Sequence, residues 1–219
     1  MIIKRITITA LVLFAWLNII AIDISIDINP QNWQNAMRGE NKAIMLEAGQ
    51  PMVPYLPVKV LLPFGEKLEG FQISYSDSRL QAENVSIPIA LAQQPISVNV
   101  ASAYTAQPLE NRLYPPKDDE YLGTQYYRGY QIALFNLYPY KYNPQTRQLF
   151  AVSSATISIE SSFDDTEATY QANFFTPNVE TIYTLQALAI NLEALNSYGA
   201  ANQYRNVTAQ HRTIDLTNP

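Results

Sequence analysis

The chain has 219 residues, 47% hydrophobic and 15% charged, which suits a folded domain with its own core and excludes a disordered chain. Its net charge is −5 with no basic stripe, which argues against a nucleic-acid partner. There is no cysteine, so disulfides, thiol chemistry and a cysteine-linked lipid anchor are all excluded, and stability must come from burial.

Lys4 and Arg5 precede an apolar run from Ile6 to Ile20, broken only by Thr7, Thr9 and Asn18. This is the pattern of a secretory signal over residues 1–21, cleaved near Ala21. A spanning helix needs about 20 apolar residues, so this run is short for one; the alternative is an uncleaved membrane anchor, and no membrane partner is expected for the mature form. The expected destination is the periplasm or the cell exterior. Removing the signal takes away two basic residues and no acidic ones, and the charge becomes −7.

Fourteen prolines, seven glycines and fifteen tyrosines favour a mainly β chain. Asp23 to Asn29 alternates polar and apolar residues and reads as a half-buried strand. Pro30 to Lys42 reads as loop, and Ala43 to Ala48 as a short strand. From Gly49 to Pro57, prolines at every third position predict an extended piece outside the centre of any sheet. Val58–Leu62 and Leu68–Tyr75 read as strands around a Pro63-Phe64-Gly65-Glu66 turn, and Val85–Leu91 and Ile96–Val100 as two shorter ones. Residues 101–122, with the acidic run Asp118-Asp119-Glu120, read as a long loop.

Tyr126 to Tyr142 is expected to form one long strand ending in a tight turn at Asn143-Pro144-Gln145-Thr146. A second run, Arg147 to Ser161, leads away from it. Both carry apolar groups on both faces, as strands in the middle of a two-layer structure do. Asp164 to Glu167 reads as a solvated break. Thr176-Pro177 then reads as a helix start, with apolar residues at helical spacing from Ile182 to Leu195 and Gly199 as the stop. The expected fold is therefore mainly β: a two-layer antiparallel β-sandwich over residues 22–163, followed by one C-terminal helix and a polar tail over 164–219.

No catalytic constellation emerges. The single histidine, His211, lies in the polar tail without strand or helix context. Asp118, Asp119 and Glu120 are adjacent, whereas calcium loops space their oxygens at alternate positions, so a solvated loop is expected. No Gly-x-Gly phosphate loop occurs, and no metal or cofactor is expected. The tyrosines at 126, 127, 130, 138, 140 and 142 offer an aromatic platform for a glycan or a surface protein. Ordinary cross-strand packing uses the same residues and is the expected role.

Several stretches together resemble the N-terminal prodomain of gingipain-type cysteine peptidases. They are Glu47-Ala48-Gly49-Gln50-Pro51-Met52-Val53-Pro54, the strand from Val58 to Pro63, the segment from Ser86 to Pro95, and Tyr127-Arg128-Gly129 running on to Tyr142-Asn143-Pro144-Gln145-Thr146. The resemblance covers about residues 44–161. It implies a non-catalytic β-sandwich that helps a caspase-like catalytic domain to fold and holds it latent in cis. The family's catalytic His and Cys lie downstream of this segment, so 164–219 would lead towards a catalytic half not in this chain.

In Arg-specific members a prodomain arginine fills the pocket for the substrate's basic side chain, and the matching position is Arg128. A guanidinium on a rigid strand pairs bidentately with a carboxylate, and Gly129 lets another backbone come close. The alternative is an exposed arginine at a bulge or sheet edge. Arg205 and Arg212, in the polar tail, are candidate cleavage points for release. The competing reading of the whole chain is a free-standing secreted β-sandwich that binds a glycan or a surface protein.

Overall fold

The computed structural model describes residues 19–38, 43–45, 47–91 and 109–204. The bulk of the expected export signal, the strand expected at 96–100, His211, Arg205 and Arg212 all lie outside the described residues. In chain order the elements are β1 (Ile19–Asp27), α1 (Trp33–Met37), β2 (Ala43–Ile44), β3 (Pro54–Leu61), β4 (Glu66–Tyr75) and β5 (Arg79–Ala82). Then follow β6 (Asp119–Tyr127), β7 (Tyr130–Leu137), β8 (Tyr140–Asn143), β9 (Gln148–Ala151), β10 (Ser154–Phe163), α2 (Asp165–Phe174) and α3 (Val179–Leu188). No helix among the described residues is long and apolar enough to cross a membrane.

The strands are antiparallel and form three sheets, ordered β1-β10-β4, β2-β3-β7-β6 and β5-β9-β8. The first two face each other as a sandwich. Ile24, Ala155, Ile157 and Ile159 from one sheet meet Val58, Val60, Ala133, Phe135 and Leu137 from the other. The third sheet closes a smaller core with Val53, Val85, Ile87, Tyr140, Tyr142 and Leu149.

β7 contributes to two of the three cores, and its period-two pattern decides how. Ala133, Phe135 and Leu137 enter the sandwich, while Tyr130 and Ile132, on the opposite face, meet a helical layer formed by Ala168, Ala172, Phe175, Leu185 and Tyr198. Apolar groups on both faces thus mark a strand covered twice. The packing role expected for the tyrosines holds at Tyr130, Tyr138, Tyr140 and Tyr142, all buried, whereas Tyr126 is exposed.

Several elements differ from expectation. The single strand expected from Tyr126 to Tyr142 is three strands, interrupted at Arg128-Gly129 and again at Pro139. The run from Arg147 to Ser161 changes sheets between Ala151 and Ser154, so Leu149 and Ala155 belong to different cores. The turn between β8 and β9 is where it was expected: Asn143 Oδ1 accepts from the amides of Gln145 (3.0 Å) and Thr146 (3.2 Å).

Pro54 and Pro57 do lie within a strand between two others. Among the described residues β2 pairs with only Pro54 and Tyr55 of β3. Lys59 and Leu61 turn their backbone groups away from β7, and Pro57 shares their parity, so its missing N–H costs no bond to β7. Beyond β2 the Ile190 amide donates to the Lys59 carbonyl, and at Leu61 a side chain takes the place of a strand. Asn191 Oδ1 accepts from the Leu61 amide and Asn191 Nδ2 donates to the Leu61 carbonyl, each at 2.8 Å, as a neighbouring strand would.

The C-terminal helical part is divided. Asp164 begins a helix instead of a break: its carboxylate caps the Glu167 amide at 2.9 Å and starts α2. α3 is capped by Asn178, two residues after the expected Thr176, and stops at Leu188. A 3-10 segment, Leu192–Ala200, continues past the expected end and carries the buried Tyr198.

Candidate functional site: the Arg128–Gly129 hairpin tip

β6 and β7 pair up to Tyr127 opposite Tyr130, which leaves Arg128 and Gly129 as a two-residue turn. Both have positive φ, 51° and 87°, the geometry of a type I′ hairpin. The arginine expected on a strand is therefore at the apex of a turn. Its neighbour allows no alternative to glycine. A Cβ on Gly129 would sit 2.6 Å from Phe175 N and Cα and 2.7 Å from Gln171 O. The close approach that Gly129 permits is to the end of this chain's own α2. The Thr176 amide also donates to the Arg128 carbonyl at 3.2 Å, so the α2–α3 connection fixes the backbone of the tip from behind.

The Arg128 side chain lies against the first turn of α3. Its Nη1 donates to Thr181 Oγ1 at 3.0 Å and is 3.7 Å from Glu180 Oε2. The guanidinium carbon is 5.6 Å from the centre of the Tyr127 ring. Arg128 is 37% exposed and Glu180 77%.

A polar network locks the base of the hairpin to the helical layer. Tyr126 donates to Glu167 Oε1 at 2.7 Å, Gln131 Nε2 donates to the Tyr126 hydroxyl, and Gln171 Nε2 reaches both Glu167 Oε1 and Gln131 Oε1. Gln171 Oε1 accepts from the Gly65 amide, while the Tyr198 hydroxyl accepts from the Gln131 amide and donates to the Leu62 carbonyl. Burial, and then the Glu167 carboxylate, push the Tyr126 phenol well above its ordinary value. Burial does the same to Tyr198. Both stay neutral donors at any physiological pH.

Exposed apolar side chains flank the tip. On one side the rings of Tyr126 and Tyr170 are 4.8 Å apart, and those of Tyr170 and Phe174 5.0 Å. On the α3 side Val179 and Tyr183 are exposed beside a surface depression of about 470 Å³ lined by Pro177, Ile182 and Gln186.

The acidic run is not merely solvated. Lys141 pairs with Asp118 at 2.8 Å, Lys117 with Glu120 at 2.9 Å, and the Tyr138 hydroxyl donates to Glu120. The hydrogen bonds from Lys117 and Tyr138 hold the Glu120 carboxyl below its usual range, and burial followed by Asp118 raises that of Asp119. Among the described residues no cluster of His, Cys, Asp or Glu suits a metal ion.

Of the residues singled out in the sequence, Arg128 and Gly129 are together at one tip, and Arg205 and Arg212 lie outside the described residues. Glu180, Thr181 and Phe175 belong to the site and carry no local signal of it, since only the tertiary fold brings them to the turn.

No protein-family model matches the chain, and none of the curated proteins does. Among solved structures, the chain is similar to one described as a complex of the pro- and mature domains of RgpB from Porphyromonas gingivalis. The identity is 14% and the TM-score 0.46, covering 70% of this chain and 78% of that one. It is also similar to a structure bearing on the zymogenic latency of gingipain K from the same organism, with 20% identity and a TM-score of 0.40, covering 57% of this chain and 71% of that one. Both neighbours are gingipain structures, the group whose prodomain the sequence resembles.

Proposed function

We propose that this chain is the non-catalytic prodomain of an exported gingipain-type cysteine peptidase, acting in cis as inhibitor and folding aid. The observation that carries the reading is Arg128, a single cation at the apex of a turn whose backbone is fixed from behind. A guanidinium carried on a fixed turn suits a pocket with a carboxylate at its floor once it leaves Thr181 and Glu180, and exposed apolar side chains on either side suit a protein surface.

The same geometry explains why such a plug would block a peptidase without being cut. Cleavage needs the scissile amide in a near-attack geometry, in an extended segment open to the nucleophile. The Arg128–Gly129 amide is bent into a turn with positive φ on both sides, and Phe175 stands directly behind it. Binding then fills the pocket without productive alignment. In this reading residues 1–21 direct export to the periplasm or beyond, the sandwich is the template for folding, and 164–219 lead to the catalytic half. Release would follow cleavage at Arg205 or Arg212. The partner is that peptidase domain, with neither nucleic acid nor, in the mature form, membrane involved.

The test is inhibition in trans of an arginine-cleaving peptidase of this type. Arg128→Ala is expected to weaken inhibition by about 2–5 kcal/mol, the cost of losing a desolvated charge pair. An unchanged inhibition constant would remove Arg128 from the mechanism.

A second reading, a free-standing module for a glycan or surface protein, is favoured by the exposed rings of Tyr126, Tyr170 and Phe174. Binding of a glycan that is lost in Phe174→Ala and kept in Arg128→Ala would select it.

A further inference from the structure

Arg128 does not project from the domain. Nearly two thirds of its side chain is covered, with Nη1 spent on the Thr181 hydroxyl and the Glu180 carboxylate and the guanidinium close to the Tyr127 ring. A pocket that accepts a basic side chain must take in the length of that side chain, and one lying along α3 cannot enter it. The backbone of the turn is held separately, by Thr176 and by the packing of Phe175 on Gly129. The side chain is therefore free to swing while the turn stays in place.

We propose that the first turn of α3 is an internal stand-in for the peptidase pocket, with Thr181 and Glu180 parking Arg128 in the free prodomain until docking draws it out. This inference rests on the function proposed above and adds a regulatory element to it. The parking contact has the right strength for the task. Glu180 is exposed, so its ion pair is weak. Thr181 is buried and adds one charge-assisted hydrogen bond, with its own amide held by Asn178. A carboxylate in a desolvated pocket attracts the guanidinium more strongly than an exposed Glu180 does, so docking wins the exchange. The apparent affinity for the peptidase is then lowered by the fraction of molecules in which Arg128 is released.

The test uses the full chain with Glu180→Gln, Thr181→Val, and both together. Glu180 is exposed, so Glu180→Gln tests the contact without touching the buried threonine. Modification of Arg128 by phenylglyoxal, followed by peptide mass mapping, reports release with no partner present. The double variant is expected to react about 3- to 10-fold faster than wild type at Arg128, with Glu180→Gln in between and the other arginines unaffected. An equal or slower rate overturns the parking contact. In trans, the inhibition constant of the double variant should fall by a similar factor, and the two substitutions should have no effect in an Arg128→Ala background. A constant that rises or stays level refutes the competition even where labelling is faster. If the wild-type chain inhibits no such peptidase, the proposed function fails, and the labelling rate alone still decides whether Arg128 is held.

Discussion

At Gly129 two constraints coincide: a φ of 87° that L side chains adopt at a cost, and backbone atoms of Phe175 where a Cβ would be. Gly129→Ala should therefore destabilise the fold by more than about 2 kcal/mol, measured by chemical denaturation. A smaller loss would mean that α2 shifts away easily. Glu66 is a second residue under strain, of another kind. It is buried, among the described residues neither its Oε2 nor Ser161 Oγ has a hydrogen-bond partner, and burial raises its pKa with only a partial offset from the nearby Ser161 hydroxyl. A raised carboxyl pKa favours the protonated folded state, so the stability linked to Glu66 is present below the ordinary value and lost as pH rises through the folded value. Glu66→Gln should accordingly raise Tm at about pH 7 and make little difference near pH 4. An equal shift at both pH values would contradict that account.

The helical layer shows how one side chain can act as an element. Asn191 pairs with β3 at Leu61, and Asn191→Ala leaves both polar groups of a buried Leu61 without these partners. Each such loss costs about 1–3 kcal/mol, so the variant should lose at least about 2 kcal/mol in stability, read by thermal or denaturant unfolding. Loss of the α3 cap in Asn178→Ala should cost about 1 kcal/mol and also loosen Thr181 under Arg128. The strands around Pro63–Glu66, the Asn143 turn and the doubly covered β7 were legible because apolar alternation and turn residues state them locally. The hairpin at Arg128–Gly129 was not, because type I′ turns favour Asn-Gly or Asp-Gly and arginine gives no such sign. Asp164 to Glu167 misled for a similar reason: a run of acidic residues reads as solvated chain, yet it also suits the positive end of a helix. Arg128 and Gly129 were found through family resemblance, while their partners at 175, 180 and 181 needed the fold.

Around β7 the molecule has three layers, the β1-β10-β4 sheet, the sheet that contains β7 and helices over its outer face, while the β5-β9-β8 sheet closes a core of its own. The third layer covers Leu61, Phe64, Tyr130 and Ile132. Removing residues 164–219 should uncover that face and abolish cooperative unfolding. A truncated sandwich that melts as sharply as the full chain would show the helices to be dispensable. The same layer backs the hairpin tip, so the stability of the fold and the presentation of Arg128 depend on common contacts. The function proposed for this tip is to block a peptidase, and the inhibition constant of the full chain against an arginine-cleaving gingipain-type enzyme, wild type beside Arg128→Ala, measures it most directly. Inhibition by the wild type, weakened about 30-fold or more in a variant of unchanged Tm, is the expected result. Equal constants for the two, or no inhibition by the wild type, would contradict it.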